Sequence, residues 1–101
     1  MPSSQQTLSE QELRDLLAEL PEWTLEDGKL ARAWTLPTFI EAIVMVNRVA
    51  GMAEASQHHP DIDIRYNRVQ LGLVSHDAGG ITARDAGMAR QLSAAFPGPA
   101  A

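Results

Sequence analysis

Three imidazoles lie in one stretch of the chain, at His58, His59 and His76. Histidine is the side chain that ordinarily titrates near neutral pH, so such a group points to proton transfer. Pro60 disfavours helical backbone at the residue before it, so the long helix that starts after Thr38 must stop around His58. A helix C-terminus presents unpaired carbonyls and partial negative charge. Glu54 stands one turn earlier on the same face, and both features favour a positively charged His58, the form that protonates a leaving group. His76 sits where a strand gives way to Asp77-Ala78-Gly79-Gly80, at the edge of a rigid frame where functional groups often stand. Plainer readings stay open at each position. His58 can be a helix cap, Glu54 and His58 a weak surface pair, and Asp77 turn chemistry. Asp85 stands three residues after Thr82, where a capping box fully accounts for an acid. Metal binding is not expected, because adjacent helical residues diverge by ~100° and no histidine pair has the i, i+4 spacing of a zinc helix. No glycine-rich loop followed by Lys offers a phosphate cradle.

The elements that must position these groups have to fit into one small unit. The chain has 101 residues, which predicts a single domain over 1–101 with one core. Hydrophobic residues make up 45% and charged residues 21%, a globular balance. The net charge of -5 argues against direct nucleic-acid binding, where phosphates demand an excess of Lys and Arg. Cysteine is absent, so disulfides, thiolate metal sites and thiol nucleophiles are excluded, and a reducing, cytoplasmic setting is expected. Met1 to Gln6 lacks a basic segment followed by an apolar one, and no apolar run nears ~20 residues, so neither a signal peptide nor a membrane span is expected.

Periodicity predicts the order α-β-β-α-β-β-α. Ser9 and Glu12 make a capping box flanked by Leu8 and Leu13, and Leu13, Leu16, Leu17 and Leu20 make an apolar stripe for a helix over about 9–20, which Pro21 stops. Asp27-Gly28 joins Trp23–Leu25 to Lys29–Thr35 as a hairpin. Thr38 and Glu41 open the second helix, which runs to about Gln57. Its apolar arc of Phe39, Ala42, Ile43, Val46, Val49, Ala50 and Ala53, with Ile40 and Val44 beyond it, is wider than one core requires and suggests self-association. Ile62–Tyr66 and Val69–Leu73 alternate and pair through Asn67-Arg68. Thr82 caps a last helix whose Met88, Ala89, Leu92 and Phe96 face inward, and Pro97-Gly98-Pro99 ends it. The expected fold class is α+β, a four-stranded antiparallel sheet with three helices packed on one face.

Glu54-x3-His58-His59-Pro60, then Tyr66, His76 and Asp85 resembles the signature of the pterin-4a-carbinolamine dehydratase family. HHPDIDIRYNRV at 58–69 and SHDAGGITARD at 75–85 resemble its two core blocks, and the similarity extends over nearly the whole chain. The resemblance implies elimination of water from 4a-hydroxytetrahydropterin to give the quinonoid dihydropterin, recycling the pterin cofactor after aromatic amino-acid hydroxylation, without metal or organic cofactor. It implies His58 as main acid/base, His76 as its partner across one cavity, and Glu54 orienting or charge-tuning His58. It implies Gln57, His59, Pro60, Ser75, Asp77, Trp23 and Asp85 as pterin contacts, with capping the favoured account of Asp85. Gln57 stands where many relatives carry an acid. Homodimers or homotetramers are implied too. The alternatives are a non-catalytic pterin binder, or an interaction module like the relatives that dimerise with a homeodomain transcription factor.

Overall fold

The computed structural model describes residues 6–98. Helix α1 (Glu10–Glu19) starts from the expected box: Ser9 Oγ accepts the Glu12 N–H at 3.1 Å, and the Glu12 carboxylate accepts the Ser9 N–H at 2.8 Å. Leu16 is its buried residue, and Leu8, Leu13, Leu17 and Leu20 pack partly buried around it. Strands β1 (Thr24–Glu26) and β2 (Lys29–Thr35) pair antiparallel across Asp27 and Gly28, whose left-handed φ angles of 51° and 76° let a two-residue turn match the right-handed twist of the strands.

Helix α2 (Phe39–Ser56) buries Ala42, Met45, Val49 and Ala53. The expected arc is therefore rotated. Met45 faces the core, whereas Ala50 and the 49%-exposed Phe39 lie outside it. Ala42 and Ala53 are buried with Met45 and Val49, so the inner stripe of α2 is narrow, and the helix packs against β4. Ile40 and Val44 are 72% and 52% exposed.

Strands β3 (Asp61–Arg65) and β4 (Arg68–Leu73) turn at Tyr66-Asn67, one residue earlier than the sequence suggests. Tyr66 takes the left-handed φ of 54°. Asn67 is anchored to the link between β2 and α2, its side chain donating to Leu36 O at 2.7 Å and its carbonyl accepting the Leu36 N–H at 2.8 Å. Arg68 is thereby free to join β4. Helix α3 (Ala83–Ala95) completes the chain order.

The strand order is β1-β2-β4-β3, all antiparallel, so the two strands with most apolar residues lie in the middle. Leu30, Trp34, Val69, Leu71 and Leu73 cover one face and pack against buried residues of all three helices. Each fully buried side chain of this size contributes about 1.5–3 kcal/mol. Ala31 and Ala33, on the other face, are buried as well, which is why alternation along β2 does not reveal its inner side. Arg32 also lies inside, with its guanidinium 4.5 Å from the Trp34 ring centre and donating to Ser93 Oγ and Gly98 O. Burial pulls its pKa below the usual guanidinium value, partly offset by Glu22.

Candidate active site

The site begins with the way α2 stops. Gln57 takes a left-handed φ of 52°, and the His58 N–H turns back to Ala53 O at 3.1 Å. This is the αL helix ending usually given to glycine, occupied here by a residue whose side chain adds a 2.8 Å bond to Glu54 O. The reversal separates two neighbouring imidazoles. His58 is 9% exposed and turned inward, while His59 is exposed.

Inside, His58 meets the start of α3. Thr82 is the N-cap and Asp85 the N3 residue of a complete capping box, as their spacing predicts. Asp85 does more than cap. Its Oδ2 accepts the Thr82 N–H and the Ser75 hydroxyl, both at 2.8 Å, and its Oδ1 lies 2.5 Å from His58 Nε2. A carboxylate only accepts hydrogen bonds, so Nε2 carries the proton of that contact and Nδ1 is left for a ligand. Ser75, Thr82 and Asp85 are 1%, 0% and 0% exposed, so this network is shielded from water.

Glu54 holds the other histidine, with its Oε2 2.8 Å from His59 Nε2 and both side chains in solvent. It is therefore His59 that Glu54 orients here, and Asp85 that orients His58. His76 is exposed, and its ring has no hydrogen-bond partner among the described residues. It rides on a loop closed by Ser75, whose carbonyl accepts the N–H groups of Ala78, Gly79 and Gly80 and whose N–H donates to Gly80 O. His58 and His76 are thus linked through Asp85 and Ser75 by two hydrogen bonds and one peptide bond. Asp77, next on the loop, is clamped by Arg84 Nη2 at 2.9 and 3.1 Å, which holds its carboxyl below the usual carboxylate range. Pro60 is half-buried beside the histidine pair.

Several expected pterin contacts sit elsewhere. Ser75 and Asp85 are sealed into the network behind His58, with their polar side-chain atoms engaged by protein. Trp23 is 2% exposed in the core, edge-on to Trp34 with centroids 6.0 Å apart, and its Nε1 donates to Ser93 Oγ. In the sequence Thr82 shows only as a helix cap, and nothing there marks Arg84. Only the T-x-x-D spacing hinted at the network, and nothing local marks a pairing seven residues apart. Among the described residues no group of three or more His, Asp or Glu is placed to hold a metal ion, and no helix is long and apolar enough to cross a membrane.

Residues 6–95 match the family model for pterin 4 alpha carbinolamine dehydratase. A Chloroflexus aurantiacus protein named "Putative pterin-4-alpha-carbinolamine dehydratase" is 52% identical, over 84% of this chain and 91% of its own length. A Thermomicrobium roseum protein of the same name is 49% identical, over 85% and 92%. Among solved structures, one from Brucella melitensis described as a transcriptional coactivator/pterin dehydratase superposes with a TM-score of 0.81 at 33% identity, covering 87% of this chain and 96% of that one. These likenesses agree with one another: the chain belongs to the pterin-4a-carbinolamine dehydratase family.

Proposed function

We propose that this protein dehydrates 4a-hydroxytetrahydropterin to the quinonoid dihydropterin by histidine acid–base catalysis, in recycling of a tetrahydrobiopterin-type cofactor in the cytoplasm. The observation that carries the reading is the His58–Asp85 pair, with exposed imidazoles at the next residue, His59, and at His76, which follows the Ser75 that bonds Asp85. The reaction removes hydroxide from C4a and a proton from N5, so it needs an acid and a base on one bicyclic ring. His58, fixed at Nε2 by Asp85, takes up the N5 proton at Nδ1, and the cation formed lies against a carboxylate, as in a serine-protease triad. His76, whose ring is exposed, delivers a proton to the departing 4a-hydroxyl, which leaves as water. His59, steadied by Glu54, holds the pterin together with Gln57, Pro60 and Asp77.

The test follows the decay of freshly generated 4a-hydroxytetrahydropterin by stopped-flow absorbance. Wild type should exceed buffer, and His58→Ala or His76→Ala should each lose about 10²–10⁴-fold in rate. A wild-type rate equal to buffer would remove the enzyme reading and leave a non-catalytic pterin binder.

A second reading, an interaction role alongside catalysis, draws on the coactivator description of the Brucella protein and on the exposed Ile40 and Val44 of α2. The same surface supports a homodimer or homotetramer. Val44→Lys should lower the mass measured by light scattering; an unchanged mass would dismiss this face as the contact.

A further inference from the structure

The hydrogen-bond directions in the buried network can be fixed by counting protons. The Thr82 N–H and the His58 Nε2–H are donors to Asp85, and the Ser75 hydroxyl has only one proton, which goes to Asp85 Oδ2. The Ser75 oxygen, 2.9 Å from Thr82 Oγ1, must then accept the Thr82 hydroxyl proton. Thr82 Oγ1 in turn accepts the Arg84 N–H at 3.2 Å. The chain therefore runs one way, from Thr82 through Ser75 to the carboxylate. Its end is an Asp85 with three donors on two oxygens and no freedom to rotate.

Ser75 has a second task. Its carbonyl collects three N–H groups of the 78–80 segment, and its own N–H returns to Gly80 O at 3.0 Å, closing the loop whose first residue is His76. One residue thus touches the supports of both imidazoles. We propose that Ser75 is a positioning residue: its hydroxyl, directed by that of Thr82, fixes the carboxylate that selects the His58 tautomer, while its backbone sets the loop bearing His76. The catalytic part of this inference rests on the dehydratase reading; the tautomer part stands without it.

Ser75→Ala removes the donor to Oδ2 and leaves the buried Thr82 hydroxyl proton without an acceptor, while Ser75→Thr keeps the hydroxyl and Ser75→Cys keeps the size with a weak donor. Two readouts separate the claims. Ring-nitrogen NMR of His58 should report the Nε2–H form in wild type and Ser75→Thr, and a mixture of tautomers in Ser75→Ala. Stopped-flow dehydration should give a kcat about 10–100-fold lower in Ser75→Ala with KM within threefold, its pH–rate profile displaced, and Ser75→Thr restoring both. Ser75→Cys should fall between the two and serves if the alanine variant does not fold. Wild-type ring-nitrogen spectra in Ser75→Ala or Ser75→Cys overturn the proposal. A wild type no faster than buffer removes the dehydratase reading alone, because the spectra still decide the tautomer.

Discussion

Asp85→Asn is a change of one atom whose outcome the geometry dictates. The amide must present its oxygen to the Thr82 N–H, which can only donate, and the Ser75 hydroxyl points to the same place. The amide nitrogen then faces His58 Nε2 and donates to it, so the imidazole proton moves to Nδ1, the atom that takes up the N5 proton in the proposed reaction. Three charge-assisted hydrogen bonds become neutral ones, a loss of about 1 kcal/mol each, or about 3 kcal/mol in all. That is less than the ~5–15 kcal/mol stability of an ordinary domain, so the variant should fold, with Tm lower by roughly 10–25 °C. The same carboxylate-to-amide change in a serine-protease triad costs ~10⁴ in kcat through the wrong tautomer, and a loss of about 10²–10⁴ is expected here. Stopped-flow dehydration measures the rate, ring-nitrogen NMR the tautomer, and thermal melts the stability. An Asp85→Asn protein that keeps the Nε2–H form and a rate within threefold of wild type would refute the reasoning.

Other outcomes follow from contacts outside the network. Arg84 holds Asp77 ionised below its usual range, so the clamp contributes stability above the ordinary carboxylate pKa and loses it as pH falls through the lowered value. Carboxyl NMR should find Asp77 titrating low in wild type and in the ordinary range in Arg84→Gln. Arg32→Met should change stability by no more than ~1 kcal/mol in urea melts, since Ser93 Oγ keeps its Trp23 donor and Gly98 is exposed. Arg32→Ala, which leaves a gap beside Trp34, should cost about 2–4 kcal/mol. Glu54→Gln should cost under ~0.5 kcal/mol, because its pair with His59 lies in solvent, so an activity loss in this variant would belong to substrate handling.

Much of the fold is legible in the chain because its signals are local. Ser9 with Glu12, Asp27-Gly28 and Thr82 with Asp85 each settle a boundary within four residues. The signals fail where a distant partner decides. Met45 replaces Phe39 on the inner side of α2 because β4 dictates the helix's rotation, and Tyr66 takes the turn because Asn67 is tied to Leu36. The three histidines could be picked out by type and by Pro60, yet their partners could not. Glu54 is near both His58 and His59 in sequence, and only the left-handed Gln57 determines which of them it meets. Asp85, 27 residues from His58, reaches it through the docking of α3.

The exposed bend at Tyr66-Asn67 divides the chain into two unequal halves of chemistry. Everything before it carries His58 and His59; everything after it carries His76 and the carboxylate that meets the His58 ring. A backbone nick there would yield two peptides, neither with the whole His58–Asp85 pair, and their recombination restores it only when β4 inserts between β2 and β3. Catalysis would thus serve as its own gauge of fragment reassociation, with no added label.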